Sequence, residues 1–110
     1  MTNPPIWEPS AERIDGANIS RFMRFVREST GNEDIRRYGP LYDFSVRNPE
    51  RFWSLVWEFC GIRAQGEHEP VLVDRDKMPG ARWFPNVRLN FAQNLLRHKD
   101  ERIAIVFRNE

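Results

Sequence analysis

Residues 48–61, "NPERFWSLVWEFCG", decide the fold. Asn48 can cap a helix, Pro49 suits its first position, and Gly61 suits a left-handed stop. The apolar residues between these ends cover well over half of the helix circumference, whereas an ordinary surface helix buries a narrower stripe. The stretch therefore predicts a helix over 49–60 that is covered on two sides, with Cys60 in the core. Trp53 and Trp57 are its expected interface residues.

Helical spacing also extends toward the N-terminus. Apolar residues at positions i, i+3, i+4 and i+7 predict a helix over 19–29 that ends near Gly31. A shorter helix is expected over 40–46, with Pro40 in its first turn. Ser10 is a fair N-cap for a helical turn over 11–15.

The segment after the central helix is less regular. Residues 63–70 form a polar loop in this interpretation, and Val71–Val73 a short strand or extended segment. The stretch "GARWFPNVRLNFAQNLLR", residues 80–97, then predicts a turn at Pro85-Asn86, where Asn tolerates a positive φ. A helix is expected over 89–97.

Two large rings, Trp83 and Phe84, stand side by side before that turn. They either line an apolar ligand pocket or anchor an irregular loop on a neighbouring surface, and the anchor is favoured because large rings bury much area with few torsions to freeze. Asn90 and Asn94, one helical turn apart, are suited to tying down the irregular backbone before them, and Leu95 lies on the apolar face of the same helix.

The run Ile103–Phe107 contains only apolar residues. Such a run is typical of a strand buried on both faces of a larger sheet, and one strand cannot satisfy its hydrogen-bond ladder alone. The expected fold class is therefore mainly α with a small β element: a helical cap over 1–100, and a terminal strand over 103–107, within 101–110, that would start the sheet of a larger α/β domain. We expect the sequence to be the beginning of a longer protein.

Composition excludes several classes of protein. The 110 residues carry 17 basic and 16 acidic side chains, a net charge of +1, and the two signs alternate. This balance argues against a nucleic-acid or anionic membrane partner. Because Cys60 is the only cysteine, no internal disulfide can form, and a reducing compartment, the cytoplasm, is expected.

No motif in the sequence predicts a catalytic, metal or cofactor site. Glu67, His68 and Glu69 are interpreted as a solvated polar loop, because a zinc site needs three or four converging ligands. No Gly-rich phosphate loop occurs. We therefore expect no cofactor in this chain.

Three segments together resemble the N-terminal region of the acetoacetyl-CoA synthetases, or acetoacetate–CoA ligases, which are acyl-adenylate-forming ligases. They are "IWEPSAERI", "LYDFSVRNPERFWSLVWEF" and "GARWFPNVRLNFAQNLLRHKDERIAIVFRNE". The ending Asn94-Leu95-Leu96-Arg97-His98 favours this branch over the acetyl-CoA synthetases, which usually continue to Cys-Leu-Asp-Arg-His. Asn86-Val87 departs from the Gly-Ala that is common in the family.

The resemblance implies a non-catalytic segment that packs on a nucleotide-binding domain outside this chain. It implies ATP, Mg²⁺ and CoA for the full-length parent, an AMP-forming acid–thiol ligase, and an inactive 110-residue chain. The missing catalytic domain is the expected partner, and self-association through exposed aromatics and a strand edge is a further possibility. The alternatives are a free-standing helical interaction module and a segment of an acetyl- or other short-chain acyl-CoA synthetase.

Overall fold

The computed structural model describes residues 3–110, which divide into two compact units at Gly61 and Ile62. The first unit contains four helices: α1 (Ala11–Asp15), α2 (Asn18–Thr30), α3 (Tyr38–Arg47) and α4 (Pro49–Cys60). The second contains four short strands and one helix: β1 (Gln65–Gly66), β2 (Leu72–Val73), β3 (Arg82–Trp83), β4 (Val87–Arg88) and α5 (Phe91–Leu95). The predicted class, mainly α with a small β element, is confirmed. None of the described helices is long and apolar enough to cross a membrane.

The predicted helix ends of α1, α2 and α4 are confirmed. The Ser10 hydroxyl oxygen accepts from the Arg13 backbone N–H and caps α1. Gly31 and Gly61 end α2 and α4 in the left-handed conformation, with φ of 72° and 60°. Only glycine takes up this conformation without steric cost, so both helices stop there.

Asn48 does not cap α4 with its side chain, which corrects the sequence prediction. Its own backbone N–H continues α3 by donating to the Phe44 carbonyl, and its carbonyl accepts from the Phe52 N–H at 2.9 Å. The residue is shared between two helices, and Pro49 lacks an N–H that would need a cap. Helix α3 also begins two residues before the predicted residue 40.

The core of the first unit lies where α2, α3 and α4 meet. Val26, Ile35 and Leu55 are fully buried, and Phe22 and Leu41 are nearly so. Around these aliphatic side chains the rings pack edge to face or tilted, as aromatic pairs prefer. Ring centroids lie 5.7 Å apart for Phe22 with Phe52 and 5.2 Å apart for Phe22 with Phe59.

The cover of helix α4 is incomplete, whereas the sequence predicted cover on two sides. Leu55 is buried, whereas Trp53 and Phe59 are 44% and 36% exposed. Cys60 is exposed and does not lie in the core. The first unit supplies α2 and α3 as neighbours of α4, and two helices shield less than its full apolar circumference.

Two short antiparallel ribbons organise the second unit. In one, Gln65 pairs with Arg88 and Gly66 with Val87; in the other, Leu72 pairs with Trp83 and Val73 with Arg82. The polar loop predicted over 63–70 therefore contains a strand. Gly66 has a φ of 108°, and a Cβ there would clash with the Asn86 carbonyl oxygen, so only glycine permits this strand pairing.

The predicted turn at Pro85-Asn86 is present, and its Val87 N–H donates to the Phe84 carbonyl at 3.1 Å. The positive φ lies at Phe84, at 44°, and not at Asn86. The pairing of β3 explains this position, because the Phe84 N–H is held at 2.8 Å by the Val71 carbonyl just beyond the last paired residue.

Helix α5 is shorter than the predicted 89–97. It starts after Asn90, whose side chain accepts from the Gln93 N–H, and ends before Leu96. Leu89 therefore lies outside the helix, although it fits the helical spacing. A side-chain cap at Asn90 fixes the start of the helix more strongly than apolar spacing does.

Ile103–Phe107 forms no strand within the described residues, so these residues alone do not form the predicted strand over 103–107. Its side chains are almost fully exposed, with Ile103, Ile105, Val106 and Phe107 at 82–86%. A strand needs a neighbour for its backbone hydrogen bonds, and no segment within residues 3–110 pairs with this run. The boundary predicted at residue 100 stays a prediction.

Burial makes Leu55 the strongest test of this core. We expect Leu55→Ala to lower the free energy of unfolding by about 2–5 kcal/mol, because it leaves a cavity among buried side chains. Urea denaturation followed by far-UV circular dichroism measures the change. The matched control is Leu95→Ala, since Leu95 is also helical but 66% exposed, and its effect should stay within about 0.5 kcal/mol. Equal losses in the two variants would contradict this core.

Candidate functional site

The described residues contain no constellation for chemistry. No group of three potential metal-ligating side chains lies together within residues 3–110, and no polar side chain there is buried. The His68 ring of the predicted polar loop stacks at a tilt on Phe84, with 5.0 Å between ring centroids. The candidate sites described below are surfaces.

An apolar cleft of about 450 Å³ lies in the first unit, between α2, α3 and α4. We call it the aromatic groove. Polar side chains contribute little to its lining, which consists mainly of Ile19, Phe22, Tyr38, Leu41, Tyr42, Phe52, Trp53, Val56 and Phe59. Such a surface can bind apolar groups, since ligand and protein docking sites bury mainly hydrophobic and aromatic side chains.

The groove exists because three helices expose apolar side chains around one gap. Tyr38 and Tyr42 lie one helical turn apart on α3 with ring centroids 6.2 Å apart, and they are 67% and 55% exposed. Trp53 forms part of the opposite wall on α4, where its ring packs edge to face on Phe52 at 5.3 Å. Contiguous apolar exposure of this kind is unusual on a monomer and marks an interaction site.

The predicted interface residues of α4 have different environments. Trp53 lines the groove, whereas Trp57 is half-buried and does not line it. Cys60 lies at the edge of the groove, where the sequence predicted a core thiol. Their role in docking stays a prediction.

In the second unit the tryptophan-phenylalanine pair lies at the end of a ribbon. Trp83 is paired with Leu72 and remains 45% exposed, and Phe84 is half-buried against His68. Pairing fixes the backbone of both rings, so a rigid aromatic surface is presented without much further loss of conformational entropy.

The two helix asparagines bond backbone other than the irregular stretch before them, which the sequence had predicted as their target. Asn90 caps α5, and Asn94 clamps distant backbone. Its Oδ1 accepts from the Arg63 N–H at 2.7 Å, and its Nδ2 donates to the Arg63 carbonyl at 2.9 Å and to the Asn90 carbonyl at 3.0 Å. A side-chain amide that bonds both the N–H and the carbonyl of one residue substitutes for a β-ladder partner. This fixes α5 to the start of the second unit.

Helix α5 then exposes an apolar face. Leu95 is 66% exposed, and its apolar neighbours Leu89, Phe91 and Leu96 are exposed as well. The five residues of α5 are too few for a stable isolated helix, so it depends on the asparagine contacts. An exposed apolar face that hydrogen bonds hold in place is typical of a docking surface.

Sequence reasoning missed two of these features. Tyr38 and Tyr42 carried a signal, since two tyrosines spaced by four residues share one face of a helix. Arg63 carried none, because its contact with Asn94 uses only its backbone, which every residue type possesses.

Comparison with known proteins identifies a family to which the chain is similar. A sequence model described as acetyl-coenzyme A synthetase N-terminus matches residues 38–95. The chain is 38% identical over 106 residues to acetoacetyl-coenzyme A synthetase from Rhizobium meliloti (strain 1021), with 96% of this chain and 16% of that protein covered. It is 32% identical over 108 residues to malonamoyl-CoA synthetase from Penicillium aethiopicum, with 92% and 14% covered.

A solved structure shows the same similarity. Acetoacetyl-CoA synthetase from Streptomyces lividans superposes with a TM-score of 0.72 at 35% identity, over 86% of this chain and 16% of that one. The chain thus spans about one sixth of the length of the proteins that it matches.

The asparagine clamp makes a local prediction. Asn94→Ala removes both bonds to Arg63, each worth about 0.5–1.5 kcal/mol, so the Arg63 amide should exchange with solvent about tenfold faster or more. Hydrogen exchange followed by NMR measures this rate. Gln93→Ala is the control, because the Asn90 cap uses only the Gln93 backbone N–H. An unchanged Arg63 exchange rate in Asn94→Ala would show that the clamp does not stabilise the second unit.

Proposed function

The chain belongs to the acetyl-coenzyme A synthetase N-terminus family, and we propose that it is the non-catalytic N-terminal segment of an acetoacetate–CoA ligase. In this proposal the full-length parent activates acetoacetate with ATP and Mg²⁺ to an acyl-adenylate and pyrophosphate. The CoA thiol then displaces AMP to form acetoacetyl-CoA. The segment contributes docking surfaces to that protein and no reacting group.

The observation that carries the proposal is the combination of exposed apolar surface with the absence of a chemical site in residues 3–110. The aromatic groove and the α5 face expose large rings and leucines that water solvates poorly. Covering such area stabilises a complex by about 25 cal/mol per Å². Relatives of which this chain matches about one sixth have enough additional polypeptide to provide that cover.

The predicted interface residues take defined places in this proposal. Trp53 contacts the partner domain from the groove of the first unit. Trp83, Phe84 and Leu95 contact it from the second unit. Asn90 and Asn94 hold α5 in position without contacting the partner. The run Ile103–Phe107, which is unpaired within the described residues, is then a strand of a sheet in the parent.

The proposed acyl substrate, acetoacetate, is taken from the names of the relatives with higher sequence identity. Acetoacetyl-CoA synthetases match at 38% and 35% identity, whereas the malonamoyl-CoA synthetase matches at 32%. The malonamoyl-CoA synthetase is named for a different acyl group. The segment that matches this chain is therefore shared by ligases whose names give different substrates. A short-chain acyl-CoA synthetase with another acyl group is therefore the second candidate. The single free thiol supports a reducing compartment, and we place the parent in the cytoplasm.

A free-standing interaction module is the other candidate, and the open groove of about 450 Å³ favours it. It differs from the leading proposal in what covers the apolar surface: a separate protein, rather than further residues of the same polypeptide. The two are distinguished by substitutions in a full-length ligase that carries this sequence.

If these surfaces dock on the rest of the ligase, a substitution in them should destabilise the full-length protein more than the 110-residue chain. Leu95→Ala should change the unfolding free energy of the 110-residue chain little, because Leu95 is 66% exposed there, and Trp83→Ala, at 45% exposure, should cost less there than in the full-length ligase. In the full-length ligase the same changes should cost about 2–4 kcal/mol, because they remove buried contacts. Thermal and urea unfolding of both proteins measure the difference, with Gln93→Ala as the polar control on α5.

The outcome separates the candidates. Neutral effects in both proteins would contradict docking through the second unit and leave the interaction module. A full-length variant of normal stability that had lost adenylation would instead place Trp83 or Leu95 in the chemistry.

A second prediction concerns activity. The purified 110-residue chain should release no pyrophosphate from ATP in the presence of acetoacetate, with or without CoA, because its sequence has no Gly-rich phosphate loop and residues 3–110 hold no cluster of metal-ligating side chains. A coupled pyrophosphate assay measures this, and the full-length ligase is the positive control. Acetoacetate-dependent turnover by the short chain alone would overturn the non-catalytic assignment.

A further inference from the structure

A second cavity of the first unit has a different character from the aromatic groove. It has a volume of about 330 Å³ and lies where α1 meets α2. Three arginines line it, Arg24, Arg27 and Arg36, over a floor that includes Ile14 and Met23. The docking proposal does not use this cavity, which we call the arginine cavity.

The three guanidinium groups come from two elements that are held independently. Arg24 and Arg27 lie three residues apart on α2, so they project from one side of that helix. Arg36 lies in the loop between α2 and α3, directly after the fully buried Ile35. The backbone there is also held by bonds from the Asp34 N–H to Asn32 Oδ1 at 3.1 Å and from the Arg36 N–H to the Asp34 carbonyl at 2.8 Å.

The wall on the α1 side is also fixed. The Ser20 hydroxyl donates to the Ile14 carbonyl at 2.5 Å and ties α1 to α2. Arg24 Nη2 lies 3.3 Å from Asp15 Oδ1. The cavity is therefore formed before any ligand arrives, which reduces the entropic cost of binding.

The charges of the cavity do not balance. Arg24 pairs with Asp15, and Arg36 pairs with Glu33 at 2.6 Å. Arg27 has no carboxylate within 4.0 Å among residues 3–110; it is half-buried and donates from Nη1 to the Ile35 carbonyl at 2.7 Å. One positive charge is in excess, on the guanidinium that is least able to be solvated.

Both ion pairs are exposed, which matters for a ligand. The side chains of Arg24 and Asp15 are 48% and 82% exposed, and those of Arg36 and Glu33 are 65% and 70% exposed. Exposed pairs of this kind contribute about 0–1 kcal/mol, so a stronger acceptor can replace them at little cost. Each guanidinium also has further N–H groups beyond the one bonded to its carboxylate.

We propose that the arginine cavity binds a phosphate group. Three terminal oxygens of a phosphate can each accept from one of the three guanidinium forks, whereas a carboxylate offers only two oxygens. The excess charge at Arg27 favours an anion, and Ile14 and Met23 offer apolar contact to the organic part of an ester. The source is either a phosphate ester or free inorganic phosphate.

NMR titration of the 110-residue chain tests this binding directly. Inorganic phosphate should cause saturable shifts of the side-chain Nε–Hε signals of Arg24, Arg27 and Arg36, and sodium chloride at matched ionic strength should not. Arg24→Gln and Arg27→Gln should each weaken binding about tenfold or more, as expected for a lost charged hydrogen bond. Arg21→Gln, whose guanidinium bonds Asn18 on the same helix and does not line the cavity, should bind like the unaltered chain.

The design covers a possible loss of folding. Arg27 also holds the Ile35 carbonyl, so its variant can be destabilised, whereas Arg24 makes only an exposed ion pair. Weakened binding in a folded Arg24→Gln chain is therefore sufficient support. Unsaturated shifts that match those in chloride, or equal binding by Arg24→Gln and the unaltered chain, would overturn the proposal.

Two further probes identify the source of the phosphate. Phenyl phosphate that binds more tightly than inorganic phosphate supports an ester, because its ring gains the contact with Ile14 and Met23. Equal binding of the two supports free phosphate. Acetate that binds as tightly as phosphate would overturn the proposal, since the site would then recognise carboxylates.

Discussion

Burial of one side of α4 against α2 and α3 is the constraint on which the first unit depends. Leu55 and Phe52 lie on that side, and Phe22 and Val26 meet them from α2. Because α4 is apolar over most of its circumference, packing against α2 and α3 leaves Trp53 44% exposed and Phe59 36% exposed. The aromatic groove is thus a direct consequence of the same helix composition that builds the core.

The second unit buries only Val71 and Leu72 among its described apolar residues and depends more on hydrogen bonds. Its two ribbons have two paired residues per strand, too few to be stable by strand pairing alone. Polar contacts compensate: the amide of Asn94 bonds both backbone groups of Arg63, and the Phe84 N–H bonds the Val71 carbonyl. These bonds order the backbone while leaving Trp83 and Leu95 exposed. Hydrogen bonds to the backbone can therefore hold this apolar surface in place without covering its side chains.

Sequence reasoning succeeded where local signals determine structure. The bounds of α4 followed from Pro49 and Gly61, and the cap of α1 followed from Ser10, because each acts within a few residues. It failed where distant residues decide the outcome. The exposure of Cys60 depends on which helices pack on α4, and the unpaired state of Ile103–Phe107 depends on whether another strand lies beside it. The sequence alone named several residues of the candidate surfaces. It could not predict the groove, because the groove depends on how three helices are placed relative to one another.

Helix α2 serves two surfaces with opposite requirements, and its amphipathic spacing makes this possible. Phe22 and Val26 face the core, whereas Arg24 points away from them toward the arginine cavity. Substitution of Arg24 therefore leaves the apolar packing unchanged, and substitution of Phe22 removes packing without removing a charge. The two surfaces can be altered separately, although one helix supplies both. Binding of an anion at Arg27 would also reach the core through the Ile35 carbonyl, because the guanidinium that carries the excess charge holds the backbone of a fully buried residue.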